Sequence, residues 1–310
     1  MTTRSDDEPS STTPEAGDGV TVRQRQRAHE DREYEPVVVK RMDQSVRHPD
    51  DVLQNAIREG AEQARRPALS LFLSAVSAGA ILSFAAMAVG IVAASEAGSG
   101  AGLASRLLVA AVYPLGFVLC LMSGTQLFTE HTALAMYPVL DRRTPARSLL
   151  RLWPTILAGN LVGCLVGAGL LAAGDGVIGA AAGYAATATH LIEHSVFDCA
   201  MSAVLAGWLM ALGGWLILAT AADVSQIVVI YATTFLIGLA GLHHSIAGSA
   251  EVLAAAMTGA GLSTGDAVVT LVVAVFGNLV GGSLFVGILN YGHIRQTQLG
   301  AGEGRDARER

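Results

Sequence analysis

Gly159-Asn160-Leu161-Val162-Gly163 recurs letter for letter as Gly277-Asn278-Leu279-Val280-Gly281, so the chain repeats itself at an offset of 118 residues (277 minus 159). Glycines at i,i+4 in an apolar helix let two helices approach closely, and the asparagine between them can hydrogen-bond a neighbouring backbone. The two elements read as packing devices rather than as ligands. Around them lie six apolar stretches, 67-95, 107-129, 152-174, 199-222, 224-250 and 267-294. Each can supply the roughly 20 apolar residues that a spanning helix needs. The repeat divides the six into two halves of three, and because three is odd the second half is expected to enter the membrane from the opposite side, an inverted repeat. A shorter stretch, 176-192, is mostly Ala, Gly and Thr and reads as an extramembrane hairpin or short surface helix.

The distribution of charge agrees with six spans. Of the 46 charged side chains, 25 fall in residues 1-66, whereas residues 67-292 hold only 14. A water-soluble domain of that size cannot cover its surface with so little charge, because the exposed apolar area would associate. Residues 1-66, rich in Asp, Arg, Ser and Pro, read as a disordered cytoplasmic tail, and with no apolar run before Pro67 a cleaved secretory signal is not expected. The transport domain is then 67-295, followed by a cytoplasmic C-terminal tail, 296-310. Arg65 and Arg66 precede span 1, Arg142, Arg143, Arg147 and Arg151 lie between spans 2 and 3, and Arg295 follows span 6. The other side holds Arg106 alone, so the positive-inside rule places both termini in the cytoplasm. The cysteines, Cys120, Cys164 and Cys199, have neither disulfide-framework nor zinc spacing, no cofactor is indicated, and no basic patch suggests nucleic acid.

Two stretches break their spans. Ser123-Gly124-Thr125-Gln126-Leu127-Phe128-Thr129-Glu130, shifted by 118, lands on Gly241-Leu242-His243-His244-Ser245-Ile246-Ala247-Gly248. A polar, glycine-bearing interruption in the second span of each half implies two discontinuous helices. Irregular backbone at membrane depth persists only where protein buries it or where it lines a cavity, which places a pore at the interface of the repeats.

These residues resemble the formate/nitrite transporters. Leu127-Phe128-Thr129 is similar to that family's loop motif in the broken second span, His244-Ser245-Ile246-Ala247 to its motif in the broken fifth, and the two Gly-Asn elements fall where the family has them. The surrounding Gln126 to Glu130 and Gly248 to Leu253 look closer to the YfdC-type inner-membrane branch. The resemblance covers about residues 67-295. It implies an aquaporin-like all-α protomer in the inner (plasma) membrane, a homopentamer with one pore per protomer, and passage of small monovalent anions or their conjugate acids. By position, Leu127 would line a hydrophobic constriction, Thr129 would be the loop hydroxyl and His244 the central protonatable residue. The chain departs from the family at Gly248, where an Asn is usual, and in having Lys40 as its only lysine.

The candidate pathway residues are therefore Leu127, Phe128, Thr129, Glu130, His243, His244 and Glu251. A weak-acid anion meeting Thr129 and His244 would become protonated, or share a proton, and cross the apolar rings without a bare charge. The plainer reading has His243 and His244 satisfying broken-helix carbonyls. Glu130 caps a helix N-terminus or faces the pore; Glu251, two turns from His244, faces the pore or is a buried partner of a neighbouring donor. His190-Leu191-Ile192-Glu193-His194 matches H-x-x-E-H and brings in a membrane zinc hydrolase, but with no downstream helix bearing a third carboxylate ligand it reads as a chance match at the outer mouth, where the histidines could collect anions when protonated. A weak-acid channel or transporter, not an enzyme, is the reading that absorbs most of these features. A pore for a small neutral solute and a non-conducting scaffold whose tail recruits a partner remain beside it.

Overall fold

The structure, a computed structural model, describes residues 47–96 and 102–306. The disorder expected for 1-46 lies outside the described residues, as do the last residues of the C-terminal tail. The described residues form helices only, in the order α1 Pro49–Arg65, α2 Ala68–Ser95, α3 Leu103–Val112, α4 Pro114–Met122, α5 Phe128–Leu134, α6 Met136–Leu140, α7 Leu149–Ile178, α8 Ala181–Ile192, α9 Val196–Ala219, α10 Asp223–Ala240, α11 Ser245–Met257 and α12 Thr264–Val280, which passes through a π-helical stretch, Gly281–Ile288, into α13 Leu289–Asp306. Among the described residues six helices are long and apolar enough to cross a membrane, at Ala68–Ser95, Leu103–Met122, Ala146–Ile178, Val196–Ala219, Asp223–Ala240 and Thr264–Leu299. Their outward faces carry exposed Leu, Val, Ile and Phe that no other described residue covers, as lipid-facing helices do.

Close packing at the repeated glycines sets the frame. A methyl group built on Gly159 would stand 2.6 Å from the Ala75 Cβ of α2, and one on Gly163 would strike the Val76 carbonyl. In the second half a methyl on Gly277 would meet the Ala203 Cβ of α9 at 2.5 Å, and one on Gly281 would strike the Val204 carbonyl. The same device thus joins α7 to α2 and α12 to α9.

Residues 49–65, assigned from sequence to the disordered tail, are helical instead. Pro49 starts α1 with its fixed φ, the His48 imidazole accepts the Asp50 N–H at 3.4 Å, and Asp50 and Asp51 complement the first turn. Val52, Leu53, Ala56 and Ile57 form one buried face, so the helix is held by packing although most of its other residues are polar. It rests on α5, α6 and α9. In the 176-192 stretch α7 runs on to Ile178, and α8 is a short helix with one face buried and the other exposed. Its Gly183, Tyr184, Ala188 and Leu191 are buried, and it rests on α11, α2 and α12. The contacts of α1 and α8 correspond, each lying on the re-started helix of one half and on the first span of the other.

Candidate functional site

The site is built where two helices stop and start again. Helix α4 ends at Met122 and α5 begins at Phe128; α10 ends at Ala240 and α11 begins at Ser245. Gly124 (φ 69°) and Gly241 (φ 63°) take the left-handed conformation at the two exits, a turn that glycine makes without strain.

Each break exposes backbone groups, and the two repeated asparagines satisfy them. Asn160, fully buried, accepts the Phe128 N–H through Oδ1 at 2.8 Å and donates through Nδ2 to the carbonyls of Ala75 (2.8 Å) and Gln126 (2.9 Å). Asn278, also fully buried, accepts the Ser245 N–H at 2.7 Å and donates to the carbonyls of Ala203 (2.7 Å) and His243 (3.0 Å). Each amide holds both sides of a break and the first helix of its half.

Between the breaks, Thr129 Oγ1 and His244 Nε2 lie 2.9 Å apart and buried. The His244 Nδ1 accepts the Ala247 N–H at 3.1 Å and so caps α11. An imidazole nitrogen that accepts carries no proton, so the neutral ring holds its proton on Nε2 and donates it to Thr129. The Phe117 ring meets the imidazole edge-on, centroids 5.0 Å apart at 88°. Phe117, Leu127, Phe128 and Ile246 are all buried around the pair.

The remaining candidates separate. His243 is fully engaged: its backbone N–H donates to Ser202 Oγ at 3.0 Å, its Nδ1 lies 2.9 Å from the same hydroxyl, and its Nε2 donates to the Leu191 carbonyl at 2.9 Å. It ties the second break to α9 and α8. Leu127 holds the N-cap position without a side-chain bond, and Glu130 is the acid of the first turn of α5, where it complements the helix N-terminus. Its side chain lines a cavity of about 410 Å³ together with Arg47, Glu59, Arg66, Gln126 and His131. Glu251 is buried in α11 and does not line that cavity. The rings of His190 and His194 are 4.9 Å apart, and His194 is 5.5 Å from His243, so the H-x-x-E-H motif begins a row of three imidazoles leading to the second break. Among the described residues no group of three or more His, Cys, Asp or Glu side chains is arranged to hold a metal ion.

Sequence reasoning missed Arg47, Glu59 and Arg66, all three assigned to the tail, and His131. His131 Nδ1 donates to the Leu127 carbonyl at 2.9 Å, and its buried Nε2 has no hydrogen-bond partner among the described residues. A signal for α1 was present in Pro49-Asp50-Asp51 followed by apolar residues at helical spacing.

Six apolar helices, two of them entered or continued by broken segments, with a buried hydroxyl–imidazole pair between the breaks, define a membrane channel or transporter. The formate/nitrite transporter family profile matches residues 50–292, and the chain belongs to that family, which consists of transporters and not of enzymes. It is similar to the inner membrane protein YfdC of Escherichia coli (strain K12), 28% identical over 249 residues, covering 77% of this chain and 76% of that one. It is also similar to the probable formate transporter of Methanothermobacter thermautotrophicus, 28% identical over 269 residues, covering 80% and 97%. Among solved structures it is similar in fold to an FNT family ion channel (TM-score 0.70, 19% identity, 77% of this chain and 96% of that chain). A pentameric formate channel with formate bound is similar too (TM-score 0.61, 23% identity, 71% and 95%). The chain is a multi-pass membrane protein, and the membrane zinc hydrolase reading is set aside by its family.

Proposed function

We propose that this protein passes small monovalent weak-acid anions, or their conjugate acids, along a pathway through the Thr129–His244 pair. The observation that carries the reading is that pair: a hydroxyl and an imidazole meeting at 2.9 Å between two helix breaks, enclosed by apolar side chains. Crossing such a ring as a bare anion is costly, whereas an acid that shares a proton crosses as a neutral species. With Nδ1 occupied by the Ala247 N–H, His244 offers one proton, on Nε2, and offers it as a hydrogen-bond donor. The anion displaces or joins Thr129 as its acceptor. Full protonation of the ring would require the Ala247 bond to break.

The relatives support formate as the cargo and a homopentamer as the assembly, since one solved neighbour is a pentameric formate channel with formate bound. The arginine distribution supports cytoplasmic termini, and the corresponding contacts of α1 and α8 support an inverted repeat. Stopped-flow flux in proteoliposomes tests the reading with formate, nitrite, acetate and hydrosulfide against a neutral solute of similar size, at two pH values, in wild type and His244→Ala. Fast, pH-dependent weak-acid flux that the substitution removes is the expected result. Passage of the neutral solute alone, in wild type, would overturn it.

A further inference from the structure

The cavity beside the first break is lined in part by α1 and holds five groups that the Thr129–His244 pathway does not use: Arg47, Glu59, Arg66, Glu130 and His131. Tyr137 is the other titratable group lining it. The walls from α9 add Ala211, Gly214, Trp215, Ile217 and Leu218 and no charge. Arg66 Nη1 donates to the Gln63 side-chain carbonyl at 3.0 Å and Nη2 to Ser70 Oγ at 3.2 Å, while Arg47 Nη1 donates to the Leu218 carbonyl at 3.1 Å. Neither guanidinium is bound to a carboxylate among the described residues. Glu130 stands against Gly214, where a built Cβ would come within 3.2 Å of its Cγ, so the absence of a side chain at 214 makes room for this carboxyl. His131, whose buried Nε2 has no hydrogen-bond partner among the described residues, lines the same space.

We infer that this vestibule is the proton-exchange site of the pathway, with Arg47 and Arg66 holding the incoming anion and Glu130 giving it the proton on which it crosses. The inference rests on the weak-acid reading above. The charges support it: two guanidiniums and two ionised carboxylates leave the vestibule neutral, whereas one protonated carboxyl leaves it with a single positive charge, matched to one monovalent anion. A carboxyl is the suitable donor because a weak acid of similar strength exchanges a proton with it in either direction. The step balances. An oxygen of the anion takes the proton, the O–H bond of Glu130 breaks as that of the acid forms, and the neutral acid moves on towards Thr129 and His244. The Glu130 carboxylate recovers a proton from water that enters the cavity; outward passage reverses each step. His244 cannot fill this role with Nδ1 committed to the Ala247 N–H. His131 spends its one proton on the Leu127 carbonyl, so it accepts and does not donate.

Two measurements on the reconstituted full-length protein test this. With a pH-sensitive dye inside the liposomes, wild type is expected to move one proton with each formate; formate movement as an unaccompanied anionic current would overturn the inference and leave the transport reading intact. Glu130→Gln is expected to cut formate flux by roughly tenfold or more and flatten its pH dependence, with Glu130→Asp recovering part of both. Arg66→Gln is expected to raise the half-saturating formate concentration while leaving the maximal rate nearly unchanged. A Glu130→Gln protein that assembles like wild type and keeps its flux and pH profile would refute the donor role; if that variant does not assemble, the proton count on wild type still decides. A wild type that carries no weak acid at all would instead remove the transport reading, and the inference with it.

Discussion

At the scale of single residues, His244 does two jobs with its two nitrogens, and they can be separated. Nδ1 caps α11 and Nε2 reaches Thr129. Asparagine at an N-cap can accept the same N–H but is too short to reach the hydroxyl. His244→Asn is therefore expected to keep the wild-type thermal midpoint within a few degrees while losing most weak-acid flux. His244→Ala should lose flux and also the cap, at a cost of about 0.5–2 kcal/mol. If His244→Asn transports like wild type, the Nε2 donor is not needed. Glu59, on α1 outside the spans, makes a separate prediction in pH. Burial, reinforced by Glu62 and opposed by Arg58, raises its carboxyl above the usual range. A raised acid favours the protonated form in the fold, so no stability is lost below the unfolded value, about 4.3, and stability falls as pH rises through the folded value. Glu59→Gln should accordingly raise the melting temperature at neutral pH and change it little near pH 4; equal effects at both would show that the carboxyl's ionisation is not the cause.

At the scale of elements, the Gly-Asn-x-x-Gly repeat was legible as packing, but the sequence could not show what the asparagines hold. Each satisfies a donor and two carbonyls that a helix break leaves open in a medium without water. Asn278→Asp is nearly isosteric and keeps the acceptor for Ser245, but it turns two donors into oxygens facing the Ala203 and His243 carbonyls. It is expected to destabilise as much as Asn278→Ala, by roughly 2–4 kcal/mol, read as a lowered thermal midpoint of the assembled protein. A mild effect of Asp alone would mean that the carbonyls find other donors. Gly163→Ala and Gly281→Ala should each cost about 1–3 kcal/mol, because the added methyl strikes backbone and not a movable side chain. The register of the breaks was read one residue off. The shared letters give an offset of 118, yet the left-handed glycines Gly124 and Gly241 differ by 117 (241 minus 124), which pairs Leu127 with His244 as the N-cap residues of the re-started helices. Letter identity follows packing of the helices, whereas the breaks follow the turn geometry, and one residue of slack in the connecting loops separates the two.

At the scale of the whole molecule, the spans and the two breaks could be read because lipid demands long uncharged helices and tolerates irregular backbone only in protein. The vestibule could not, because three of its four charged groups, Arg47, Glu59 and Arg66, come from residues that composition alone assigns to a tail. Strings of Arg, Asp and Glu describe a solvated segment until its apolar face is seen to have a place to dock, and that place is made by distant parts of the chain. Leu53, Ala56 and Ile57 pack with Ala133, Leu134 and Tyr137 from beside the first break, Ala211 from α9, and Val286 and Ile294 from the last helical rod. Burying each large apolar side chain contributes roughly 1.5–3 kcal/mol, so docking of α1 through Leu53, Ile57 and Val52 is worth several kcal/mol and closes one side of the vestibule. Two truncations then behave differently. Removing residues 1–46 leaves α1, Arg47 and the vestibule wall in place and is expected to preserve formate flux, whereas a scaffold acting through its tail would lose its role. Removing residues 1–66 takes away Arg47, Glu59 and Arg66 together with the apolar face, and is expected to lower the thermal midpoint and abolish pH-dependent flux. Size-exclusion chromatography and flux on the two proteins check this; loss of flux on removal of 1–46 alone would show that the tail itself is part of the transport machinery.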